Sequence, residues 1–135
     1  LDTVYGFICH LEETRFPFEP FEEIYLENIE NPDYVYLVAA NGTDEAVGFL
    51  SCHGQKLLHH AGLVYEIQEL YVSRSLRGTG IGKALLASLE EKLNKTRFEG
   101  LEVSANAKRT DAKKFYAKMG FEPTHIKLVK VPVLK

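Results

Sequence analysis

The stretch from Arg77 to Lys83, RGTGIGK, puts three glycines and two cations into seven residues. It follows a β-rich run, Leu63 to Val72. It precedes Leu85, Leu86, Leu89 and Leu93, which recur at helical spacing. A strand that enters a helix through such a turn commits the chain to mixed α and β structure, with the loop at the end of a sheet. Four readings of the loop compete. A Walker A loop needs Gly-x-x-x-x-Gly-Lys-Ser/Thr, but Arg77 stands where the first glycine belongs and Ala84 where the hydroxyl belongs. A dinucleotide fingerprint starting at Gly78 needs a glycine where Lys83 stands. A plain turn is the bland alternative. The fourth reading, Arg-x-x-Gly-x-Gly opening a helix, turns unpaired amides and the positive end of the helix dipole outward, which suits a pyrophosphate.

The rest of the chain reads as an alternation of short elements. Leu1, Val4, Phe7, Ile8 and Leu11 mark a helix that stops before Pro17, and Phe21, Ile24, Tyr25 and Ile29 mark a second, closed by Asn31-Pro32. Tyr34 to Ala40 and Ala46 to Cys52 read as a hairpin around Asn41-Gly42. A polar connection, His53 to Gly62, leads to the strand before the loop. Gly100 to Ala105 reads as a strand. Ala112, Phe115, Tyr116 and Met119 stripe a helix that ends at Gly120. Ile126, Leu128 and Val131 are expected to form a last strand. The fold class is α/β, or α+β: a mixed central sheet flanked by helices in one domain, 1–135.

Composition narrows the function. A formal net charge of −3 offers no basic field for nucleic acid. No run approaches the roughly 20 apolar residues that span a bilayer, and a cytoplasmic protein without membrane partners is expected. Cys9 and Cys52 fit no zinc spacing and form no disulfide framework, so both are expected to be reduced, ordinary thiols. His53, His59 and His60 match no full zinc ligand set, so no metal site is assigned, although a divalent ion beside the acceptor stays an open alternative.

The glycine motif after IQELYV, followed at a distance by FYAKMGF (Phe115 to Phe121), resembles the GNAT N-acetyltransferase superfamily. YEIQELYV, NAKRTDAKKFY and His59-His60 are similar to its aminoalkylphosphonate N-acetyltransferases. The resemblance implies a GNAT fold whose first strand precedes the helix at Leu1 and is missing from this sequence. It implies acetyl-CoA as co-substrate, with its pyrophosphate on the loop of Arg77, Gly78, Thr79, Gly80, Ile81, Gly82 and Lys83. Main-chain groups of Leu70, Tyr71 and Val72 would meet the coenzyme, and one of their N–H groups would meet the oxyanion. Many members carry an asparagine where Arg109 stands here; Asn106 is the nearest substitute for that coenzyme contact.

Acetyl transfer to an amine needs a base, an oxyanion donor and a way to protonate the leaving thiolate. It needs no covalent intermediate when both substrates are held together. Three carboxylates lie on expected strands: Glu66, Glu69 and Glu102. In an unbroken strand Glu66 and Glu69 face opposite sides, so only one of them is expected in a cleft. The residues alone do not choose; the resemblance favours Glu66, directly or through water. Tyr116 reads by itself as a core aromatic, and the resemblance gives it the role of acid beside the thioester sulfur. Lys108 and Arg109 read as a solvated helix start or as attractors of an anion. The expected partner is a small-molecule amine. A peptide or protein amine, or an acyl-CoA sensor without catalysis, are the alternatives, and a homodimer stays open.

Overall fold

A computed structural model describes residues 1–106 and 109–132, which belong to two compact units, Leu1–Val103 and Ser104–Lys135. The first unit holds helices α1 (Asp2–Leu11), α2 (Phe18–Ile29) and α3 (Ile81–Leu93). It also holds strands β1 (Tyr34–Ala40), β2 (Ala46–Leu57), β3 (Gly62–Val72) and β4 (Gly100–Val103). The strands form one sheet in the order β1-β2-β3-β4, in which β1/β2 and β2/β3 are antiparallel and β3/β4 is parallel. The second unit holds α4 (Thr110–Lys118).

Alternation along β2 sorts the core into two faces. Phe49 points one way, onto Val4 and Ile8 of α1, with Phe7, Phe16, Phe21, Tyr25 and Tyr36 packed around them. Leu50 and Cys52, both 0% exposed, point the other way. On that side Leu85, Leu86, Leu89 and Leu93 of α3 are all buried, each contributing roughly 1.5–3 kcal/mol by leaving water. Gly48 lets α3 come close: a Cβ there would sit 3.2 Å from the side chains of both Ile81 and Leu85. The hairpin turn between β1 and β2 is held by a side chain. Asn41 Oδ1 accepts from the amides of Thr43 (2.9 Å) and Glu45 (3.0 Å).

Two expectations need correction. The connection read as His53 to Gly62 is mostly strand, since β2 runs on to Leu57 and only a 3₁₀ turn, Leu58–His60, separates it from β3. The polar residues that suggested a loop, His53 and Gln55, alternate with buried positions across the sheet and are part of its pleat. The last strand does not form among the described residues: 121–132 has no regular structure, and Ile126, Leu128 and Val131 are 88%, 90% and 76% exposed. Alternating side chains suit a pleated surface, but a strand exists only where another strand takes up its hydrogen bonds.

Candidate active site

The site is built on an irregularity in β3. Ser51 pairs with Glu69 and Cys52 with Ile67, which leaves Gln68 without an opposite residue. This β-bulge inserts one residue into the alternation. Glu66, opposite His53, and Glu69, opposite Ser51, therefore lie on the same face of the sheet. The expectation that only one of them faces the cleft rested on an unbroken strand, and β3 is not unbroken. Glu102 of β4 stands beside Glu66 in the parallel ladder. One row across the sheet thus reads Tyr34, His53, Glu66, Glu102.

A cavity of about 230 Å³ opens over this face. Helices α1 and α2 line it with Val4, Ile8, Phe21, Ile24, Tyr25 and Asn28, and the sheet supplies Tyr36, Phe49, His53, Gln68 and Glu69. Its walls are apolar with a few convergent polar groups, the usual composition of a small-molecule site. Burial raises the pKa of Glu69 above the ordinary carboxylate value; a hydrogen bond from Ser51 opposes the rise and the charge of Glu12 adds to it. Ser51 is itself fully buried, and its hydroxyl donates to Glu69 Oε1. Glu66 accepts from Gln68 Nε2 at 3.1 Å. A carboxylate with a raised pKa, lining an apolar cavity, binds a proton more readily than an exposed one.

Beyond Ile67, β3 has no partner on β4, because their pairing covers only Val64 to Ile67 on the β3 side. Among the described residues of this unit, the main chain from Gln68 to Val72 has no strand partner on that side, and Leu70, Tyr71 and Val72 lie along it. The glycine loop follows. Gly78 and Gly80 have φ of +82° and +94°, and a Cβ on either would meet no atom within 4 Å. The glycines thus serve the left-handed turn and leave the backbone open to approach. Gly80 caps α3 with no side-chain cap, and the first amide bonded back into the helix is Ala84 N to Gly80 O at 3.0 Å. The N–H groups of Ile81, Gly82 and Lys83 precede it at the positive end of the helix. Thr79 donates its hydroxyl to Leu76 O within the loop. Arg77 is tied back to the strand. Its Nε donates to Val72 O at 3.1 Å, and its guanidinium lies 5.4 Å from the centroid of the Tyr71 ring, whose hydroxyl bonds His10 Nδ1.

In the second unit, Asn106 O accepts from Arg109 N at 2.9 Å just ahead of α4. Tyr116 sits between Phe115 and Phe121, with ring centroids 5.3 and 5.5 Å away. Burial pushes its hydroxyl up to about 12, with the Arg109 charge pulling the other way. It therefore stays protonated at neutral pH and has a proton to give. Gly120, at φ +95°, ends the helix as its sequence position suggested. Lys108 lies outside the described residues.

Other groups contribute less. Burial, with the charge of Glu66, drives the Cys52 thiol up to about 12, which disfavours a nucleophilic thiolate. His59 and His60 are exposed in the 3₁₀ turn, with ring centroids 4.5 Å apart. Among the described residues no three His, Cys, Asp or Glu side chains are grouped to hold a metal ion, and no helix is long and apolar enough to cross a membrane. Sequence reasoning missed Ser51 and placed His53 in a loop. Both belong to the site through the register of β2 against β3, and no single-strand pattern carries that.

Comparison with known proteins gives the site its context. The family model described as "Acetyltransferase (GNAT) family" matches residues 3–121. An aminoalkylphosphonate N-acetyltransferase of Salmonella typhimurium is 39% identical over 130 residues, which cover 96% of this chain and 83% of that protein. The peptidyl-lysine N-acetyltransferase YjaB of the same organism is 34% identical over 93 residues, 69% of this chain and 54% of that protein. Among solved structures, a transcriptional regulator from Bacillus halodurans superimposes with a TM-score of 0.84 at 20% identity, covering 96% of this chain and 91% of that one.

Proposed function

The chain belongs to the GNAT acetyltransferase family and is an acetyl-CoA-dependent N-acetyltransferase; from that premise we propose that it acetylates the primary amine of an aminoalkylphosphonate by direct transfer. The observation that carries the choice of acceptor is the likeness, along 96% of the chain, to an enzyme named for that class of amine. The acceptor's amine enters the cavity between α1, α2 and the sheet. Glu66 removes a proton from the ammonium, with Glu69 beside it on the same face. The freed nitrogen lone pair forms the C–N bond to the thioester carbonyl, and the oxyanion meets a main-chain N–H near Tyr71-Val72. As the intermediate collapses, the C–S bond breaks, the thiolate takes a proton from Tyr116, and the new amide nitrogen gives up its surplus proton to water. The loop from Arg77 to Lys83 holds the coenzyme's pyrophosphate with its amides. Arg77 serves chiefly to fix that loop to the strand end, since its Nε is engaged with Val72 O.

A second reading has an observation of its own. From Glu19 to Asp33, a span that includes most of α2, the sequence carries six carboxylates (Glu19, Glu22, Glu23, Glu27, Glu30 and Asp33) and no lysine or arginine. Nor does any lysine or arginine line the cavity among the described residues. That field favours an acceptor with several positive charges, such as a polyamine or a basic peptide, over one with an anionic end. Turnover decides between them. An aminoalkylphosphonate should show a higher kcat/KM than the alkylamine of equal length without the phosphonate and than spermidine. Spermidine or a lysine peptide exceeding the phosphonate would move the assignment to the polycationic class.

A further inference from the structure

His53 has no part in the transfer as described, yet its setting is unusual. Its ring lies flat on Tyr34, with centroids 3.7 Å apart and planes 6° apart, and runs parallel to Tyr36 at 6.1 Å. Its Nε2 is, among the described residues, the one buried side-chain polar atom without a hydrogen-bond partner. Buried donors and acceptors are normally paired, because an unpaired one gives up its hydration without return. Asn28, Tyr36, Gln68 and Glu69, which also line the cavity, are engaged. Asn28 Nδ2 donates to the Tyr36 hydroxyl at 2.9 Å, Gln68 donates to Glu66, and Glu69 accepts from Ser51. Burial lowers the pKa of His53, opposed by the charge of Glu66. At neutral pH the ring is thus uncharged, with one N–H and one lone pair.

We infer that His53 orients the acceptor amine, keeping its proton on the enclosed Nε2 and offering the lone pair of Nδ1 to an N–H of the amine. Three observations support this. With Nε2 enclosed, Nδ1 is the ring nitrogen left to meet a molecule in the cavity that His53 lines. The neighbour across the ladder is Glu66, on the same face of the sheet, so one amine placed over the pair can meet both side chains. The stack on Tyr34 fixes the ring plane, so the direction of the lone pair is set before the acceptor arrives. An amine held through one N–H by His53 while Glu66 takes another proton has its own lone pair left for the carbonyl. His53 is on this view a residue of acceptor recognition, and the inference rests on the cavity being the acceptor site.

The test is His53→Phe, which keeps a flat ring on Tyr34 and removes both nitrogens. KM for the aminoalkylphosphonate should rise about 10-fold or more, the loss of one well-aligned hydrogen bond in a closed site. KM for acetyl-CoA and the melting temperature should stay at the wild-type values. An unchanged acceptor KM in the folded variant would overturn the inference. If His53→Phe does not fold, ¹⁵N-histidine NMR of the wild-type protein titrated with propylamine reads the same contact without turnover. The inference expects the Nδ1 resonance of His53 to move, and a resonance that stays put overturns it. Absence of thiol release with every amine would instead sink the proposed transfer, a different outcome from an unaltered KM in an active enzyme.

Discussion

Tyr116→Phe should slow the chemical step by about 10²- to 10⁴-fold, the usual range for one general acid–base group. The substitution keeps the ring between Phe115 and Phe121 and removes only the hydroxyl, so folding and coenzyme affinity should be close to wild type. The hydroxyl is held protonated by burial, with a pKa of about 12. The leaving thiolate is a weaker base than the phenolate left behind, so the proton moves only as the C–S bond breaks, with the two groups held together. The rate should be taken in a single turnover, because slow product release hides a change in chemistry. Unchanged single-turnover chemistry would make Tyr116 a packing residue of its helix.

Glu66→Gln should lower kcat/KM by a comparable factor and remove or displace the acidic limb of its pH profile, measured with the same acceptor throughout. The amide keeps the shape and abolishes basicity. An unaltered limb would transfer the base role to Glu69. The two carboxylates are also separable by stability. Because burial raises the pKa of Glu69, the folded protein binds that proton more tightly than the unfolded chain does. Its contribution to stability is therefore present below the ordinary carboxylate value and is lost as pH rises through the raised one. Glu69→Gln should flatten that slope in denaturant titrations and leave the protein no less stable at neutral pH. A slope identical to wild type would mean that Glu69 is not held in this way.

The legible parts of the molecule were those fixed by local chemistry. The leucine stripe gave α3, the Gly120 cap gave the end of α4, and the glycine motif gave a loop in which Gly78 and Gly80 take positive φ values that only glycine adopts freely. The bulge at Gln68 was not legible, because it is a property of β3 against β2, and the residues of a single strand cannot record how many partners they face. That one inserted residue changes the site. It brings Glu66 and Glu69 to one face, and the continuation of β2 past Cys52 adds His53 to the same wall. The segment after α4 failed for the opposite reason: its alternation was clear, but its edge found no partner among the described residues.

The central claim is that this chain moves an acetyl group from acetyl-CoA directly to a primary amine. Free thiol released from acetyl-CoA, measured against N-acetylated product by mass spectrometry across a panel of amines, tests it most directly. The expected result is thiol release that depends on the amine, matched one for one by acetylated amine, with no acetyl group left on the protein. Tight binding of acetyl-CoA without amine-dependent thiol release would contradict the claim and identify the chain as a coenzyme-binding sensor.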